Sequence, residues 1–297
     1  MPRPILITGS HRSGSTWIGN IISSANNVFY VQEPFNISIK RDNSPCVYWF
    51  EYVDGKTDPE KIKFKEYIES FYTFDSKFLL KETLQVHSVK GFLDILKDSK
   101  KRSFNRALIK DPIAIMSAEW MYSNLNCDVI VSIRHPAAFV ASLKIKGWEF
   151  DFNNFLQQDS LMNSYLYDFK TEIKYFSIDK YNIIEQGALL WNIIYSTVIN
   201  YQKKYENRWV FVKHEDLSSQ PINEFEKIFS FLDLEMNEGV KNWINETTNS
   251  KSKTGFKRNS KENINAWKNR LNESEIAYIK ERTRPVWHHF YTEEDWS

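Results

Sequence analysis

The chain has 297 residues, of which 42% are hydrophobic and 26% are charged, and its formal net charge at pH 7 is +1. This composition excludes an intrinsically disordered chain and a general polyanion-binding protein, so any anion site must be local. Cys46, Cys127 and the six histidines show neither a disulfide framework nor zinc-ligand spacing.

The N-terminal region indicates where the protein works. The first apolar run starts at Ile5, which leaves no room ahead of it for a signal peptide. No apolar run reaches the roughly 18 residues that cross a bilayer. We therefore expect a cytoplasmic protein without a membrane span. No low-complexity linker divides the sequence, and we expect a single domain over residues 1–297.

The first predicted elements are a buried strand at residues 5–7, a glycine-rich loop and a helix, in the sequence ILITGSHRSGSTWIGNII. Gly9 and Gly14 have the spacing of the phosphate-binding pattern G-x-x-x-x-G-K-[ST], but Ser15 stands at the lysine position. The helix start directs backbone N–H groups and the positive end of the helix dipole to one point, which favours an anion. Arg12 supplies a cation nearby. An ordinary strand-to-helix turn is the alternative interpretation.

Strands and helices alternate along the rest of the chain. This order predicts a mostly parallel sheet that helices cover on both faces. The predicted strands are residues 107–112, 128–136 and 208–217. The predicted helices follow Pro136 and occupy residues 186–205 and 222–234.

Two segments interrupt this alternation. Residues 36–105 are irregular, charged and aromatic, and residues 147–181 carry many phenylalanines and tyrosines. We expect both to be inserted segments that cap an acceptor site. For the second segment, the core of a helical subregion is an equally supported interpretation.

A second strand-turn-helix sequence, VIVSIRHPAAFVAS, places Arg134 where a strand ends and Pro136 in the first turn of a helix. Ser142 follows about two helical turns later. Because strand ends and helix starts line the ligand crevice of a parallel sheet, Arg134 and Ser142 predict a second phosphate site. An arginine that pairs with a surface acid is the alternative.

Together these sequences resemble the sulfotransferase family. RSGSTW at residues 12–17 resembles its 5′-phosphosulfate loop, and the Arg134–Ser142 spacing resembles its 3′-phosphate motif. VKHEDL resembles a strand with an aromatic residue before Glu-Asp, and His214 takes the place of the aromatic residue. GFKRNSKENINAWKNRL resembles the C-terminal clamp on the 3′-phosphate, and LIKDP resembles the strand end whose lysine contacts the transferred group. The resemblance implies these donor-binding residues: Arg12, Ser13, Gly14, Ser15, Thr16, Trp17, Arg134, Ser142, His214, Lys257, Arg258 and Asn259.

The family implies a fold, a donor and a way to work without the lysine. The fold is an α/β, three-layer, P loop NTPase-like one with a mostly parallel sheet. The donor is 3′-phosphoadenosine 5′-phosphosulfate (PAPS), and the product is 3′-phosphoadenosine 5′-phosphate (PAP). A sulfuryl group carries less negative charge than a terminal phosphoryl group, so backbone N–H groups and the cations Arg12 and Lys110 suffice, and no metal is required.

The catalytic base follows from a second resemblance. FYVQEPF at residues 29–35 resembles the Tyr-Glu-Pro segment of carbohydrate sulfotransferases and bacterial relatives, in which a glutamate accepts the proton of the acceptor hydroxyl. Glu33 is therefore the predicted base. A salt-bridged loop glutamate without chemistry is the alternative. Asp111 and His11 are the alternative bases.

Two other functions stay open. A P-loop kinase that uses ATP and Mg²⁺ would share the fold, but Ser15 replaces its lysine. A non-catalytic nucleotide-binding protein is the second alternative. For a sulfotransferase, the acceptor is an alcohol, and a small molecule, a lipid or sterol, or a glycan fits equally; we expect no nucleic acid partner.

Overall fold

Parallel strands form the centre of the molecule in the computed structural model, which describes residues 2–73, 105–179, 181–249 and 264–297. The strands of the described residues are β1 (Ile5–Gly9), β2 (Val28–Gln32), β3 (Arg106–Lys110), β4 (Asp128–Ile133) and β5 (Val210–Lys213). They pair in parallel in the order β2-β3-β1-β4-β5. The glycine-rich loop therefore leaves the central strand, between the ends of β3 and β4.

Helices follow the strands and cover the sheet. The described α-helices are α1 (Ser15–Ile22), α2 (Asp58–Glu69), α3 (Ala118–Leu125), α4 (Pro136–Lys146), α5 (Asn153–Leu156), α6 (Asp159–Met162), α7 (Lys170–Ile178), α8 (Ile183–Lys204), α9 (His214–Ser219), α10 (Pro221–Phe231), α11 (Glu238–Asn249) and α12 (Glu273–Trp287). Short 3₁₀ helices occupy Val53–Gly55, Pro112–Ser117, Tyr167–Phe169, Ala266–Asn269 and Glu293–Trp296. Among these helices, none is both long and apolar enough to cross a membrane.

Burial of β1 on both faces makes the fold three-layered. All five residues of β1 are buried. Leu6 packs into the larger hydrophobic core, whereas Ile5 and Ile7 pack into a second core with the apolar residues of α1 and α10. Successive side chains of a strand point to opposite faces, so an uninterrupted apolar run is buried between two helical layers. The predicted three-layer α/β fold is confirmed.

The strand boundaries differ from the predicted ones: β1 extends to Gly9, and β3 ends at Lys110 rather than at residue 112. β2 was not predicted; it is an edge strand among the described residues and carries the half-buried Tyr30 and the exposed Gln32. A strand with such exposed positions lacks the continuous apolar run of its central neighbours. β4 and β5 are shorter than predicted because helices begin directly afterwards, at Pro136 and His214.

The described parts of the two predicted cap segments contact each other. The backbone N–H of Trp49 donates to Oδ1 of Asn154 at 2.9 Å, and that of Tyr52 donates to Oε1 of Gln158 at 2.8 Å. Side chains of the second segment thus satisfy backbone groups of the first. The role of both segments as caps over an acceptor site stays a prediction.

Candidate active site

The glycine-rich loop between β1 and α1 bends through left-handed backbone conformations. Gly9, Arg12 and Gly14 have φ of 140°, 65° and 90°. A Cβ atom on Gly14 would lie 2.3 Å from Nδ1 of His214, so the loop leaves no space for a side chain there. Gly14 is the N-cap of α1, and in the described chain no side chain caps this helix and no acidic residue lies in its first turn. Its first N–H groups are therefore available to an anion.

Arg12 connects the two predicted phosphate motifs. Its Nε donates to Oγ of Ser142 at 2.7 Å, and its guanidinium carbon lies 5.6 Å from the ring centroid of Trp148. Ser142 belongs to α4, and Trp148 lies just beyond the end of that helix. The arginine of the first motif is thus held by the serine of the second, 130 residues further along the chain.

Arg134 directly follows β4. A buried tyrosine, Tyr195, connects this end of β4 to the glycine-rich loop. The hydroxyl oxygen of Tyr195 accepts from the backbone N–H of Arg134 at 2.9 Å and forms a hydrogen bond with Oγ of Ser10 at 2.8 Å. The guanidinium Nε of Arg134 lies 3.7 Å from Oε1 of Glu215, an ion pair that is largely buried. Arg134 therefore has an acidic neighbour, but this neighbour lies within the site rather than on the surface.

Glu33 and Lys110 lie side by side at the ends of β2 and β3. Gln32 pairs with Lys110 in the sheet, and the backbone N–H of Glu33 donates to the carbonyl oxygen of Lys110 at 2.9 Å. The Lys110 ammonium donates to Oε1 of Glu33, and Nδ2 of Asn36 donates to Oε2 at 2.6 Å. The side chains of Lys110 and Glu33 are 3% and 17% exposed, so this pair is shielded but still reachable from solvent.

Asp111 occupies a different environment from Glu33. It is fully buried, and its two carboxylate oxygens accept from the backbone N–H groups of Phe35 at 2.6 Å and Ile113 at 3.1 Å. Burial raises the pKa of Asp111 to about 7; the hydrogen bond from Phe35 acts against this shift, and the charge of Glu33 adds to it. Because its oxygens are occupied by the backbone, this geometry favours Glu33 over Asp111 as the base.

His11 lies in the loop among aromatic rings. Its ring centroid is 5.2 Å from that of Phe139, 6.1 Å from that of Phe50 and 6.2 Å from that of Trp148. Burial, followed by the charge of Arg12, lowers the pKa of His11 to about 4, and the charge of Glu33 acts in the opposite direction. At neutral pH the ring is therefore uncharged.

Trp17 and His214 lie behind the loop, on the side of α1. Their ring centroids are 5.8 Å apart, and Nε1 of Trp17 donates to Oγ1 of Thr247 at 3.0 Å. Burial and the charge of Arg134 lower the pKa of His214 well below its usual value. His214 is therefore an uncharged ring in contact with the loop, and its place beside an adenine stays a prediction.

The other predicted loop residues differ in what their side chains do. Oγ of Ser13 bonds to the carbonyl oxygen of Ser10 and to Oγ of Ser132, so this hydroxyl faces the sheet. Ser15 is buried at the start of α1, and Thr16 is half-buried. The roles of all three in donor binding stay predictions.

The predicted C-terminal clamp, Lys257, Arg258 and Asn259, lies outside the described residues. Further along the described chain, the ring of Trp267 stacks on that of His135, the residue after Arg134, with 5.3 Å between the ring centroids. Within the described ranges, no group of three or more His, Cys, Asp or Glu residues is arranged to hold a metal ion.

Several residues of the site were missed by the sequence analysis. Tyr195 lies inside an apolar helix, and Glu215 lies within a motif quoted only for its histidine. Trp148 belongs to the predicted cap segment at residues 147–181. Asn36 follows the Glu-Pro segment directly, and its proximity to Glu33 is the one signal that could have indicated a role.

The chain belongs to the sulfotransferase family. The family model "Sulfotransferase domain" matches residues 2–291. Carbohydrate sulfotransferase 1 of Danio rerio is 29% identical over 79 residues, which are 25% of this chain and 19% of that protein. The expectation that the protein is a sulfotransferase, and thus a transferase enzyme, is confirmed.

Two solved structures share the fold. The sulfotransferase domain from the curacin biosynthetic pathway has a TM-score of 0.53 and 14% identity, with 97% of each chain covered. The sulfotransferase domain from the Synechococcus PCC 7002 olefin synthase has a TM-score of 0.51 and 14% identity, with 98% of this chain and 96% of that chain covered. At this identity the likeness extends to the fold alone.

Proposed function

We propose that this sulfotransferase moves a sulfuryl group from PAPS to the hydroxyl of an alcohol by in-line displacement at sulfur. The pairing of Glu33 with Lys110 carries the proposal, because it puts a candidate base and a cation together at the carboxyl end of the sheet. Lys110 also packs against α1, since a Cβ atom added to Gly19 would lie 3.4 Å from the Cγ of Lys110. The pair therefore lies beside the helix that begins at the glycine-rich loop.

The loop and α4 would hold the donor. The free N–H groups at the start of α1 and the Arg12 guanidinium suit the 5′-phosphosulfate, because both supply positive potential without a metal. Arg134 and Ser142 suit the 3′-phosphate, together with residues 257–259. Trp17 and His214 would contact the adenine side. PAP is then the nucleotide product.

The chemistry needs one proton acceptor and two sources of positive charge. Glu33 accepts the hydroxyl proton while the acceptor oxygen forms its bond to sulfur. The bond between sulfur and the 5′-phosphate oxygen breaks, and the electron pair stays on that oxygen. Lys110, Arg12 and the loop N–H groups stabilise this developing charge. The reaction therefore runs without the lysine that Ser15 replaces.

Aromatic side chains support an acceptor with an apolar or ring-shaped face. Phe50, Phe139 and Trp148 surround His11. Trp148 is 47% exposed, so one of these rings is available to a bound molecule. Such a surface suits a lipid or sterol alcohol as well as a sugar, whose apolar face stacks on aromatic rings.

Transfer from labelled donor tests the proposal. Purified protein is incubated with ³⁵S-labelled PAPS, EDTA and a panel of sterol, lipid and sugar alcohols, and both PAP release and labelled product are measured. We expect PAP release that depends on an alcohol and persists in EDTA. Phosphorylated product formed only from ATP and Mg²⁺ would contradict the proposal, as would PAP binding without turnover across the panel.

A further inference from the structure

The turn that carries Glu33 has a backbone conformation that a glutamate rarely adopts. Glu33 has φ of 44°, in the left-handed region that disfavours residues with a Cβ atom. A strained conformation of this kind persists only where the surroundings hold it. The groups that hold the turn therefore decide where the Glu33 carboxylate points.

Side chains from other parts of the chain hold the carbonyl groups of this turn. Nη1 of Arg41 donates to the carbonyl oxygen of Glu33 at 2.7 Å. The hydroxyl of Tyr67 donates to the carbonyl oxygen of Pro34 at 3.0 Å. The side chains of Arg41 and Tyr67 thus hold two carbonyl oxygens of the turn in place.

Asp111 holds a backbone N–H group of the same turn. Its Oδ2 accepts from the backbone N–H of Phe35 at 2.6 Å, the shortest of these tethers to the turn. Asp111 is itself fixed to the central strand, because its backbone N–H donates to the carbonyl oxygen of Ile7 at 2.8 Å. Its Oδ1 accepts from the N–H of Ile113 at 3.1 Å, which caps the following 3₁₀ helix. Asp111 is therefore fixed to the central strand and to the 3₁₀ helix, and its third hydrogen bond connects this rigid structure to the turn.

Burying a carboxylate is costly unless its hydrogen bonds compensate. Asp111 is fully buried, and the cationic partner of the neighbouring Glu33 does not bond to it. When Asp111 is ionised, above its pKa of about 7, its bonds from backbone N–H groups are charge-assisted and hold their geometry more strongly than bonds to a neutral acceptor. A buried carboxylate at this position is thus suited to fixing the turn.

We propose that Asp111 is a positioning residue, which holds the Glu33–Phe35 turn through the Phe35 N–H and so aims the Glu33 carboxylate at the acceptor hydroxyl. The inference rests on the proposed role of Glu33 as the base. Lys110 and Asp111 are consecutive in sequence, so the first residue bonds to the side chain of Glu33 and the second to the backbone N–H of Phe35, at the other end of the turn.

The substitution Asp111→Asn tests this role, with Glu51→Gln as a control for the loss of a buried carboxylate. Glu51→Gln also removes an ion pair with Lys56, so it is the harsher of the two for stability. Glu51 is also fully buried, and its Oε2 also accepts two backbone N–H groups, from Val47 at 2.7 Å and Tyr48 at 3.0 Å. Both substitutions keep the shape of the side chain and replace one acceptor oxygen with an N–H₂ group. Only Asp111 holds the turn that carries the candidate base.

We expect Asp111→Asn to lower kcat for sulfuryl transfer about 100-fold, since a small misplacement of a catalytic group has this effect. The KM for PAPS and the thermal shift with PAP should stay within twofold of the wild type. Glu51→Gln should lower Tm at least as much and keep kcat within threefold, when both are assayed well below their Tm. A kcat of Asp111→Asn within threefold of the wild type would overturn the proposal.

The double variant Glu33→Gln/Asp111→Asn separates this inference from the proposed function. If Asp111 acts through Glu33, the double variant should be no slower than Glu33→Gln alone. A further loss of kcat in the double variant would overturn the positioning role. Full activity of Glu33→Gln would instead show that the proposed base is wrong. If Asp111→Asn does not fold, Tyr67→Phe must lower kcat with unchanged PAP binding, and an unchanged kcat would overturn the proposal.

Discussion

The Lys110 ammonium donates to Oε1 of Glu33, and the backbone carbonyl oxygen of Lys110 accepts from the N–H of the same glutamate at 2.9 Å. One residue at the end of β3 therefore contacts Glu33 through both its side chain and its backbone. These two residues, 77 positions apart in sequence, are predicted as base and cation from separate motifs. Their contact gives the proposed proton acceptor a fixed neighbour of opposite charge.

Glu33→Gln should abolish most turnover while leaving donor binding intact. The glutamine keeps the size of the side chain, but it has one acceptor oxygen for the two donors Lys110 and Asn36, and it cannot accept a proton. We expect kcat to fall by about 10²–10⁴-fold, the usual contribution of a general base. The PAP dissociation constant, measured by calorimetry, should change by less than threefold.

Glu119→Gln is the matched control for that substitution. Glu119 pairs with Lys204, and its side chain is 16% exposed, against 17% for Glu33. Its other partners are the hydroxyls of Tyr165 and Tyr205, outside the candidate site. The control should lose stability but keep kcat. Loss of PAP affinity in Glu33→Gln, with kcat unchanged, would contradict the assignment of the base.

Arg134→Ala should weaken the preference for a 3′-phosphate. Charged hydrogen bonds contribute about 1.5–3 kcal/mol, so the affinity ratio of PAP to AMP should fall about 10–100-fold. AMP lacks the 3′-phosphate and should bind almost as before. Arg282→Ala, which removes a half-exposed arginine paired with Glu172, is the control and should leave the ratio unchanged. An unchanged ratio in Arg134→Ala would mean that the 3′-phosphate binds elsewhere.

Gly14→Ala should destabilise the protein more than the strain of an alanine at positive φ alone would. Gly14 and Gly147 have φ of 90° and 61°, but only at Gly14 would the new Cβ meet a neighbour, Nδ1 of His214 at 2.3 Å. We expect a loss of roughly 2–3 kcal/mol in the free energy of unfolding for Gly14→Ala, and of about 1 kcal/mol for Gly147→Ala. Urea unfolding of both variants measures this. Equal losses would show that His214 moves aside without cost.

Stability should rise with pH between about 4 and 6.5. Burial lowers the pKa of His11 to about 4, that of His135 to about 3 and that of His214 well below its usual value. In this window the unfolded chain binds more protons than the folded one. The free energy of unfolding therefore has its full value above pH 6.5 and decreases as the pH falls, by about 1.4 kcal/mol per pH unit for each histidine.

Asp111 acts in the opposite direction over part of the same range. In the folded protein the pKa of Asp111 is raised to about 7, so the folded state binds this proton more tightly than the unfolded chain does. The stabilisation from Asp111 is therefore lost as the pH rises from 4 to 7. Three histidines outweigh one aspartate below pH 6.5. Asp111→Asn should therefore steepen the dependence of the free energy of unfolding on pH, measured in urea at intervals of half a pH unit. A shallower slope in this variant would contradict the direction assigned to Asp111.

The sequence predicted the parts of the fold that depend on local pattern. The buried strand at residues 5–7 and the helix after Gly14 are visible because apolar runs and glycine turns are local features. The edge strand β2 was missed because its exposed positions interrupt the apolar run. Motif order also predicted the family, because each motif keeps its place along the chain.

The contacts within the site could not be predicted in the same way. Nothing in the local sequence indicates that the hydroxyl of Tyr195 bonds to both Ser10 and Arg134, because the strand order and the packing of α8 against α4 together bring these residues into contact. The contact between Arg12 and Ser142 likewise joins residues far apart in sequence, 130 positions from each other. Such links depend on how β1 and β4 lie next to each other, and a single sequence does not contain that information locally.

Binding of PAP, measured by thermal unfolding against ADP and against ATP with Mg²⁺, tests the central claim most directly. At about a hundredfold excess over its Kd, a ligand of the native state adds about 2.7 kcal/mol, which raises Tm by roughly 5 °C. We predict this shift for PAP alone and in the presence of EDTA. A shift only with ATP and Mg²⁺ would mean that the loop without a lysine serves a kinase, and the proposed donor would be wrong.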